Sequence, residues 1–316
     1  MSAWYDENMK IFIISPNTDT QLNQNHLNAL KAAGEVVFIN EMKPLIGIAE
    51  LYAGDEPRIV AIDPDFSDWK FPNEVIDKIP SLQAIVLQTT SFSWIDVDYA
   101  AQKGIPVVNL RGFSSIAVAE WVVMLTLALA RRLPIVIKDD WKLDYEKHRG
   151  FELRGKTAGV IGLGRIGTTV AENLKGLGMN VQYWSKHSED GRFNKVALDE
   201  LMQSSDVIVS AVAHNNETES LLSDEQVKSM KLTALFVDIT HPIYNTELVL
   251  QLAADSKIGG YAFEDEKNSF GHYKGNVWNG PALGWCTDES MTKNAQQWVE
   301  AIVATTKGEY PSRVNE

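Results

Sequence analysis

Three glycines at a fixed spacing are the residues of this chain that most clearly point to a chemistry. Gly162, Gly164 and Gly167 follow a short apolar run and open a segment with a helical pattern. In such a loop the first glycine permits a tight turn, the second lets the backbone approach a pyrophosphate, and the third lets the helix pack on the strand. Phosphates then lie on free N–H groups at the helix N-terminus, where the macrodipole favours negative charge. We predict a dinucleotide site formed by Gly162, Gly164, Arg165, Ile166 and Gly167; the alternative is a purely structural turn.

The segment after this loop indicates which coenzyme is preferred. A second apolar run, 181–184, completes the unit, and its end normally carries an acid that binds the adenosine ribose. Here Ser185 holds that position and is followed by Lys186 and His187. Because no carboxylate stands there to repel a 2′-phosphate, we predict NADP in preference to NAD. A solvated loop with a lysine of no particular function is the alternative.

A polar loop in the first third of the chain is a candidate for holding the substrate. Thr89, Thr90 and Ser91 come shortly after an apolar strand predicted at 84–87. Ligands of open parallel sheets bind beyond the carboxyl ends of the strands, so the amides of this loop are candidates for binding a carboxylate. A polar loop without a ligand is the alternative.

The elements that must position these residues alternate between strand and helix, which predicts parallel sheets and an α/β fold. A chain of 316 residues is expected to form two domains. We predict helices at 116–132 and 168–177, the first joining the two domains, and a continuous apolar strand at 206–212. A polar, aromatic connection is expected after Pro134.

Composition narrows the class of protein. Hydrophobic residues make up 45% of the chain and charged residues 22%, which is typical of a globular enzyme. The net charge of −13 argues against a nucleic-acid surface. The single cysteine, Cys286, excludes a disulfide framework within the chain and supplies no metal cluster, so we predict no metal site and a reducing compartment. The first ten residues lack the apolar core of a signal peptide, and helix 116–132 is interrupted by Glu120, so we expect a cytoplasmic protein without a membrane span.

Several separate segments resemble one enzyme family over nearly the whole chain. They are 96–101 and 104–107, the helical stretches 118–121 and 127–132, the run 151–157 before the glycine loop, and 198–201 with 205–206. Together with the glycine loop, these segments are similar to the D-isomer-specific 2-hydroxyacid dehydrogenase family. Jointly they are far more specific than the glycines alone.

This resemblance implies a fold and a reaction. The fold is two Rossmann-like, doubly wound parallel-sheet domains, with the nucleotide domain inserted into the other. We therefore expect a flavodoxin-like substrate domain from 1–108 and 288–316, and an NAD(P)-binding domain from 109–287. The reaction is hydride transfer between a nicotinamide and C2 of a 2-hydroxy or 2-oxo acid. A homodimer through the long helix, acting on a small organic acid, is also implied.

The residues that carry catalysis in the family are replaced here. The resemblance implies an arginine that grips the substrate, a histidine that exchanges the proton and a carboxylate that orients this histidine. The arginine position matches His241, followed by Pro242, and the family's Pro-His pair reads Pro281-Ala282. The carboxylate position falls near Ser269, in an acidic tract whose register the sequence leaves open.

Other groups are candidates for the missing roles. We predict His241 and His272 as proton carriers, with Glu264 as the orienting carboxylate, and Asp265 or Glu266 as alternatives to it. Each histidine has a structural interpretation too, His241 as a cap and His272 as an exposed loop residue. Two hypotheses follow: an NAD(P)-dependent oxidoreductase with diverged catalytic residues, or a catalytically silent NAD(P)-binding sensor or partner protein.

Overall fold

The computed structural model describes residues 9–213, 218–240, 242–265 and 267–315. They divide into two compact units, the first formed by Met1–Phe113 with Asp288–Glu316 and the second by Ser114–Thr287. Each unit is built around its own sheet, and every strand pair in both sheets is parallel.

The first unit has a five-stranded sheet in the order β2-β1-β3-β4-β5. Its strands are β1 Lys10–Ile14, β2 Glu35–Ile39, β3 Arg58–Ile62, β4 Leu82–Leu87 and β5 Val107–Val108. Its helices are α1 Thr18–Gln21, α2 Gln24–Ala33, α3 Ala49–Tyr52, α4 Asn73–Lys78, α5 Val97–Gln102 and α12 Asp288–Thr306. Two short 3₁₀ turns, Leu45–Gly47 and Pro64–Ser67, complete the connections.

Both faces of this sheet are buried, as a parallel sheet requires. One face packs with α12 and α2 around the buried Trp298 and Leu30, and the other packs with α3, α4 and α5 around residues such as Leu51. The Trp298 indole donates to the backbone oxygen of Val86 at 3.3 Å, which attaches α12 to β4.

The second unit has a seven-stranded sheet in the order β12-β11-β10-β9-β6-β7-β8. Its strands are β6 Thr157–Ile161, β7 Asn180–Trp184, β8 Asn194–Lys195, β9 Val207–Ser210, β10 Leu235–Asp238, β11 Gly260–Glu264 and β12 Val277–Gly280. Its helices are α6 Ser115–Ala130, α7 Leu133–Lys138, α8 Arg165–Gly176, α9 Leu198–Ser204, α10 Asp224–Lys228 and α11 Thr246–Ala254. The predicted class, two parallel α/β sheets, is confirmed.

Some predicted elements have different bounds in the structure. The long helix α6 ends at Ala130, because Arg132 adopts a left-handed conformation with φ of 54°. A further helix, α7, then begins where a polar connection was expected. Pro134 is compatible with it because a proline in the first turn lacks only an N–H that no helical carbonyl would accept.

The helix α6 is buried on much of its surface, in agreement with the sequence. Val122, Leu125 and Leu129 are at most 2% exposed, and they pack in one core with residues of α8 and β6. Among the described residues, no helix combines the length and the apolar character needed to cross a membrane.

Candidate functional site

The glycine loop forms a tight turn between β6 and α8. Gly162 follows the last residue of β6 with φ of +92°, a left-handed conformation that an L-residue with a side chain rarely adopts. Gly164 then takes the N-cap position of α8, and the helix begins at Arg165, three residues earlier than predicted. The turn therefore places all three glycines at the junction of strand and helix.

The other two glycines are required for two different reasons. A Cβ atom built on Gly167 would lie 1.9 Å from the backbone oxygen of Gly162, so only a glycine lets the first turn of α8 pack this closely on the loop. A Cβ atom on Gly164 would meet no atom within 4 Å. The space over Gly164 is open to a bound group. These are the two roles expected of the third and second glycine of a dinucleotide loop.

The N-terminus of α8 is available to an anion. Among the described residues no side chain caps this helix, and the first backbone bond in it runs from the Thr168 amide to the Gly164 oxygen at 2.9 Å. The amides of the three preceding residues have no partner within the helix. Arg165 is exposed and Ile166 is half-buried against the core. The loop fits a diphosphate, which Gly164 and these amides would hold.

The position expected to bind the ribose lies directly after β7. Ser185 is half-buried, and its hydroxyl accepts a hydrogen bond from the Ser188 amide at 3.1 Å. Lys186 and His187 are exposed. Further along, Asp190 pairs with Arg192, which holds the pKa of this aspartate at about 2. The other acid of this loop, Glu189, is paired with Lys195 at 3.1 Å, so both acids that follow β7 have a cationic partner.

A buried carboxyl group stands at the carboxyl end of β10. Asp238 is 1% exposed, and its Oδ1 accepts hydrogen bonds from the amide and the hydroxyl of Thr240, both at 3.0 Å. Its Oδ2 accepts the hydroxyl of Tyr244 at 2.6 Å. The Tyr244 and Tyr261 hydroxyls lie 2.5 Å apart, and Ser210 at the end of β9 lies 3.3 Å from the Thr240 hydroxyl. Side chains from β9, β10 and β11 therefore meet here.

The pKa values of the acidic groups in this cluster are shifted. Burial raises the pKa of Asp238 to about 6, although its hydrogen bonds with Tyr244 and Thr240 act in the opposite direction. Burial also raises the pKa of both tyrosines well above the usual value. Both therefore remain neutral hydroxyl groups throughout the physiological range.

The predicted proton-transfer residues have different outcomes in the structure. His241, the residue after Thr240, lies outside the described residues. Glu264 is the last residue of β11 and is half-buried. His272 is exposed in the loop before β12, and its ring contacts Tyr273 edge-on at 4.9 Å.

The acidic tract after β11 is fixed by Asp265. Its carboxylate accepts hydrogen bonds from the Lys267 and Asn268 amides, the Asn268 side chain and the Tyr273 hydroxyl, at 2.8–3.3 Å. Burial raises its pKa, but these hydrogen bonds outweigh burial and hold the pKa below the usual value. Asp265 therefore stabilises the loop as a charged group. Among the described residues it bonds to Tyr273, and no bond from it to His272 is found.

A cavity of about 620 Å³ opens beside this loop, within the second unit. Its lining includes the apolar side chains of Trp121, Ile137, Phe270, Trp278 and Leu283. The Phe270 and Trp278 rings contact each other at 5.1 Å in a T-shaped arrangement. Trp285, a few residues further along the chain, is 38% exposed and does not line this cavity.

The loop proposed to hold a substrate carboxylate belongs to the first unit. Thr89, Thr90 and Ser91 follow β4 as a bend, and the backbone oxygen of Thr90 accepts the Asn109 side chain at 2.6 Å. The Ser91 amide donates to the Thr89 hydroxyl at 3.3 Å. Among the described residues, no hydrogen bond is found for the backbone amides of Thr89 and Thr90, so the loop retains donors that an anion could use.

Two parts of this region were not recognised from the sequence. The Asp238 cluster had a weak signal, a carboxylate within an otherwise apolar strand. The cavity had none, because Trp121 and Ile137 lie more than 100 residues before the rest of its wall. Among the described residues, no three or more His, Cys, Asp or Glu side chains are grouped so that they could hold a metal ion.

Comparison with known proteins places these features in context. Residues 123–272 match the family model described as "D-isomer specific 2-hydroxyacid dehydrogenase, NAD binding domain". A glyoxylate reductase from Thermofilum pendens is 30% identical, over 77% of this chain and 77% of its own.

Solved structures share the fold over nearly the whole length. An acyclic imino acid reductase in complex with NADPH and D-Arg is 25% identical, with a TM-score of 0.82 over 97% of this chain and 100% of its own. A glyoxylate reductase from Paecilomyes thermophila is 19% identical, with a TM-score of 0.83 over 98% of this chain and 99% of its own. At 19% identity this second likeness concerns the fold alone.

Proposed function

This chain belongs to the D-isomer specific 2-hydroxyacid dehydrogenase family, and we propose that it is an NAD(P)-dependent oxidoreductase with diverged catalytic residues. The reaction is hydride transfer between the nicotinamide and C2 of a small 2-hydroxy or 2-oxo acid, or a related substrate. The geometry of the glycine loop carries this proposal, because Gly162, Gly164 and Gly167 each meet the requirement of a dinucleotide site. The coenzyme supplies the hydride, and the chain binds and orients the acid and moves one proton.

NADP is the preferred coenzyme in this proposal. Ser185 and Lys186 occupy the loop after β7, and Asp190 further along it is paired with Arg192. Glu189 in the same loop is paired with Lys195, so a 2′-phosphate would meet no carboxylate there that lacks a cationic partner. The imino acid reductase with a similar fold was solved with NADPH bound, which supports the same choice.

Transfer of the proton and binding of the substrate carboxylate require residues outside the glycine loop. We assign proton transfer to His241, with Glu264 at the end of β11 and His272 in the loop before β12 as further candidates. Thr240, the residue before His241, is held by the Asp238 carboxylate, which accepts hydrogen bonds from its amide and its hydroxyl. Thr89, Thr90 and Ser91 are the candidates for the substrate carboxylate.

Calorimetry with NADPH and NADH tests the first step of this proposal. We expect NADPH to bind more tightly, and clearly tighter NADH binding would reverse the coenzyme assignment. Failure of both coenzymes to bind would remove the proposed function altogether.

Coenzyme oxidation with a series of 2-oxo acids tests the second step. Glyoxylate and pyruvate are expected to be poor substrates, because His241 and Ala282 replace the gripping and proton-carrying groups of the family. Robust turnover of either acid would contradict this. His241→Ala is expected to abolish turnover of whichever acid is active, and unchanged turnover would show that His241 is structural. Binding of the coenzyme without turnover of any substrate would favour a silent sensor or partner protein.

Reduction of an imino acid is the second candidate. The similar reductase is named for this activity, and Ala282 offers no proton. Reduction of a carbonyl needs a hydride and a proton, whereas hydride addition to the carbon of a protonated imine gives the amine directly. Incubation of a 2-oxo acid and NADPH with and without ammonium separates the two reactions, since one yields the hydroxy acid and the other yields the amino acid.

A homodimer is the proposed assembly, as the family resemblance implies. Large apolar side chains of the second unit are exposed, among them Ile116 and Leu127 on α6 and Trp141, Leu143 and Tyr145 after α7. Burial of such side chains favours association. Light scattering on the purified chain checks this, and a monomeric mass would count against it.

A further inference from the structure

The cavity lies on the side of the sheet where the reactive end of the coenzyme belongs. The diphosphate loop follows β6 and the ribose position follows β7, so a bound coenzyme would extend from β7 across β6 towards β9 and β10, the next strands in the sheet. The next strands in the sheet are β11 and β12, roughly 5 and 10 Å beyond β10 at a strand spacing of about 4.8 Å. The cavity wall is formed where these two strands end.

The cavity is larger than the volume that the smallest 2-oxo acids would fill. Its volume of about 620 Å³ corresponds to about 20 water molecules at roughly 30 Å³ each. Glyoxylate and pyruvate have only five and six non-hydrogen atoms. A cavity of this volume is within the range of about 300–1,000 Å³ that binds much larger ligands.

The shape of the cavity is held by contacts of its lining residues with one another and with neighbouring residues. Gly284 packs on Trp121, since a Cβ there would lie 3.0 Å from the indole ring. The Asn279 side chain donates to the backbone oxygens of Asn268 and Ser269 at 2.9 and 3.1 Å. On α7, next to Ile137, the Lys138 ammonium donates to the Tyr273 and Gly275 oxygens, both at 2.8 Å. The helix, the loop and the strand end are thus attached to one another before any ligand binds.

The wall also contains the polar residues Lys267, Asn268, Ser269 and Asn279. The Asn268 and Asn279 side chains are hydrogen-bonded within the wall itself, so the five apolar side chains supply the surface that favours an apolar group. Phe270 and Leu283 are 36% and 49% exposed, so apolar surface is left for a ligand to cover. The Asp265 carboxylate at the wall already accepts four hydrogen bonds, which leaves it little capacity to recruit a cationic ligand. Such a surface binds aromatic and branched aliphatic groups, because they cover apolar area when they bind.

We infer that the substrate carries a bulky aromatic substituent at C3, and that this substituent occupies the cavity between Trp121, Phe270, Trp278 and Leu283. The inference rests on the proposed function for the identity of the reacting group, a 2-oxo or 2-hydroxy acid. It adds the class of substrate, a 3-aryl acid in place of a two- or three-carbon acid.

The substitution Gly280→Leu tests the assignment. Gly280 lines the cavity, and a Cβ on it would meet no atom within 4 Å, so a larger side chain fits without displacing the backbone. Gly176→Leu is the matched control, because Gly176 is exposed at the end of α8 and its Cβ would also meet no atom within 4 Å. If Gly280→Leu does not fold, Leu283→Asp places a charge on the partly exposed apolar wall.

The measurement is binding of D-3-phenyllactate and D-lactate to the NADPH-loaded protein by calorimetry. Neither mixture can react, because the acid and the coenzyme are both already reduced. We expect D-3-phenyllactate to bind at least tenfold more tightly than D-lactate. Gly280→Leu or Leu283→Asp should remove this preference, while Gly176→Leu should retain it.

The outcomes separate this inference from the proposed function. Equal binding of the two acids, no binding of either, or an unchanged preference in the cavity variants would overturn the inference. Turnover of phenylpyruvate is measured independently. Tight binding of D-3-phenyllactate without any turnover of phenylpyruvate would retain the assigned cavity and remove the oxidoreductase, whereas turnover of pyruvate without a preference for the aryl acid would do the reverse.

Discussion

The glycine loop after β6 and the region where β10, β11 and β12 end use different parts of the chain for recognition. The loop presents backbone amides, and its residues matter because they have no side chains: a Cβ on Gly167 would lie 1.9 Å from the Gly162 oxygen. The other region contains a cavity lined by side chains from distant segments, such as Trp121 on α6 and Trp278 on β12. A site formed by the backbone tolerates few substitutions. A site lined by side chains can become specific for a different substrate when one of them is substituted.

Among the substitutions that test this difference, Gly167→Ala is expected to have the largest effect on stability and coenzyme binding. The added methyl group would overlap the Gly162 oxygen, so the first turn of α8 must move. We expect a loss of about 3 kcal/mol in the free energy of unfolding, at the upper end for overpacking, together with loss of coenzyme binding. Urea unfolding checks this. A variant with the stability of the original chain would show that the close approach is not required.

Gly164→Ala separates binding from stability in the same loop. Its methyl group would meet no protein atom within 4 Å, so the fold should be unchanged. It would enter the space assigned to the diphosphate, and we expect a loss of about a hundredfold in NADPH affinity, which is roughly 2.7 kcal/mol. Calorimetry measures the affinity, with Gly176→Ala as the control. Full affinity in Gly164→Ala would place the diphosphate elsewhere.

Asp238→Asn tests the side-chain region through the pH dependence of stability. The pKa of Asp238 is about 6 in the folded chain and about 4 in an unfolded one. Between these values the folded state keeps a proton that the unfolded state has released, so the free energy of unfolding falls as pH rises through this window and stays lower above it. The asparagine variant should lack this fall and be more stable than the original chain by about 2.7 kcal/mol at pH 8, since one pKa unit corresponds to about 1.36 kcal/mol.

Thermal unfolding at pH 4 and pH 8 measures the difference. The asparagine can still accept from Thr240, and its amide can donate to the Tyr244 oxygen, so the network should keep its geometry. If the two chains show the same pH dependence, Asp238 does not titrate in this window.

Lys186→Ala is expected to have the smallest effect, because Lys186 is exposed and water weakens its attraction for a phosphate. We expect a five- to tenfold loss in NADPH affinity, about 1 kcal/mol, with NADH affinity unchanged. Equal losses for both coenzymes would indicate that Lys186 does not contact a 2′-phosphate.

The sequence predicted the candidate site only in the glycine loop, where coenzyme binding would depend on backbone amides. Gly162, Gly164 and Gly167 could be interpreted because their spacing encodes a local turn whose geometry depends on a few consecutive residues. The cluster around Asp238 could not, since Tyr244 and Tyr261 reach it from different segments. Helix α7 was missed for a smaller reason, because Pro134 was taken to end the helical pattern when it in fact starts one.

By itself, the sequence determined the alternation of strands and helices, the two parallel sheets and the dinucleotide loop. These follow from hydrophobic periodicity and from glycine conformations, which are properties of neighbouring residues. Only the tertiary structure decided that Asp265 anchors its own loop, that Asp238 is held uncharged more easily than an exposed acid, and that Trp121 and Trp278 line one cavity. Such contacts join residues far apart in the chain, and burial, which sets both the acidity of Asp238 and the apolar wall, exists only once the sheet and its helices have packed.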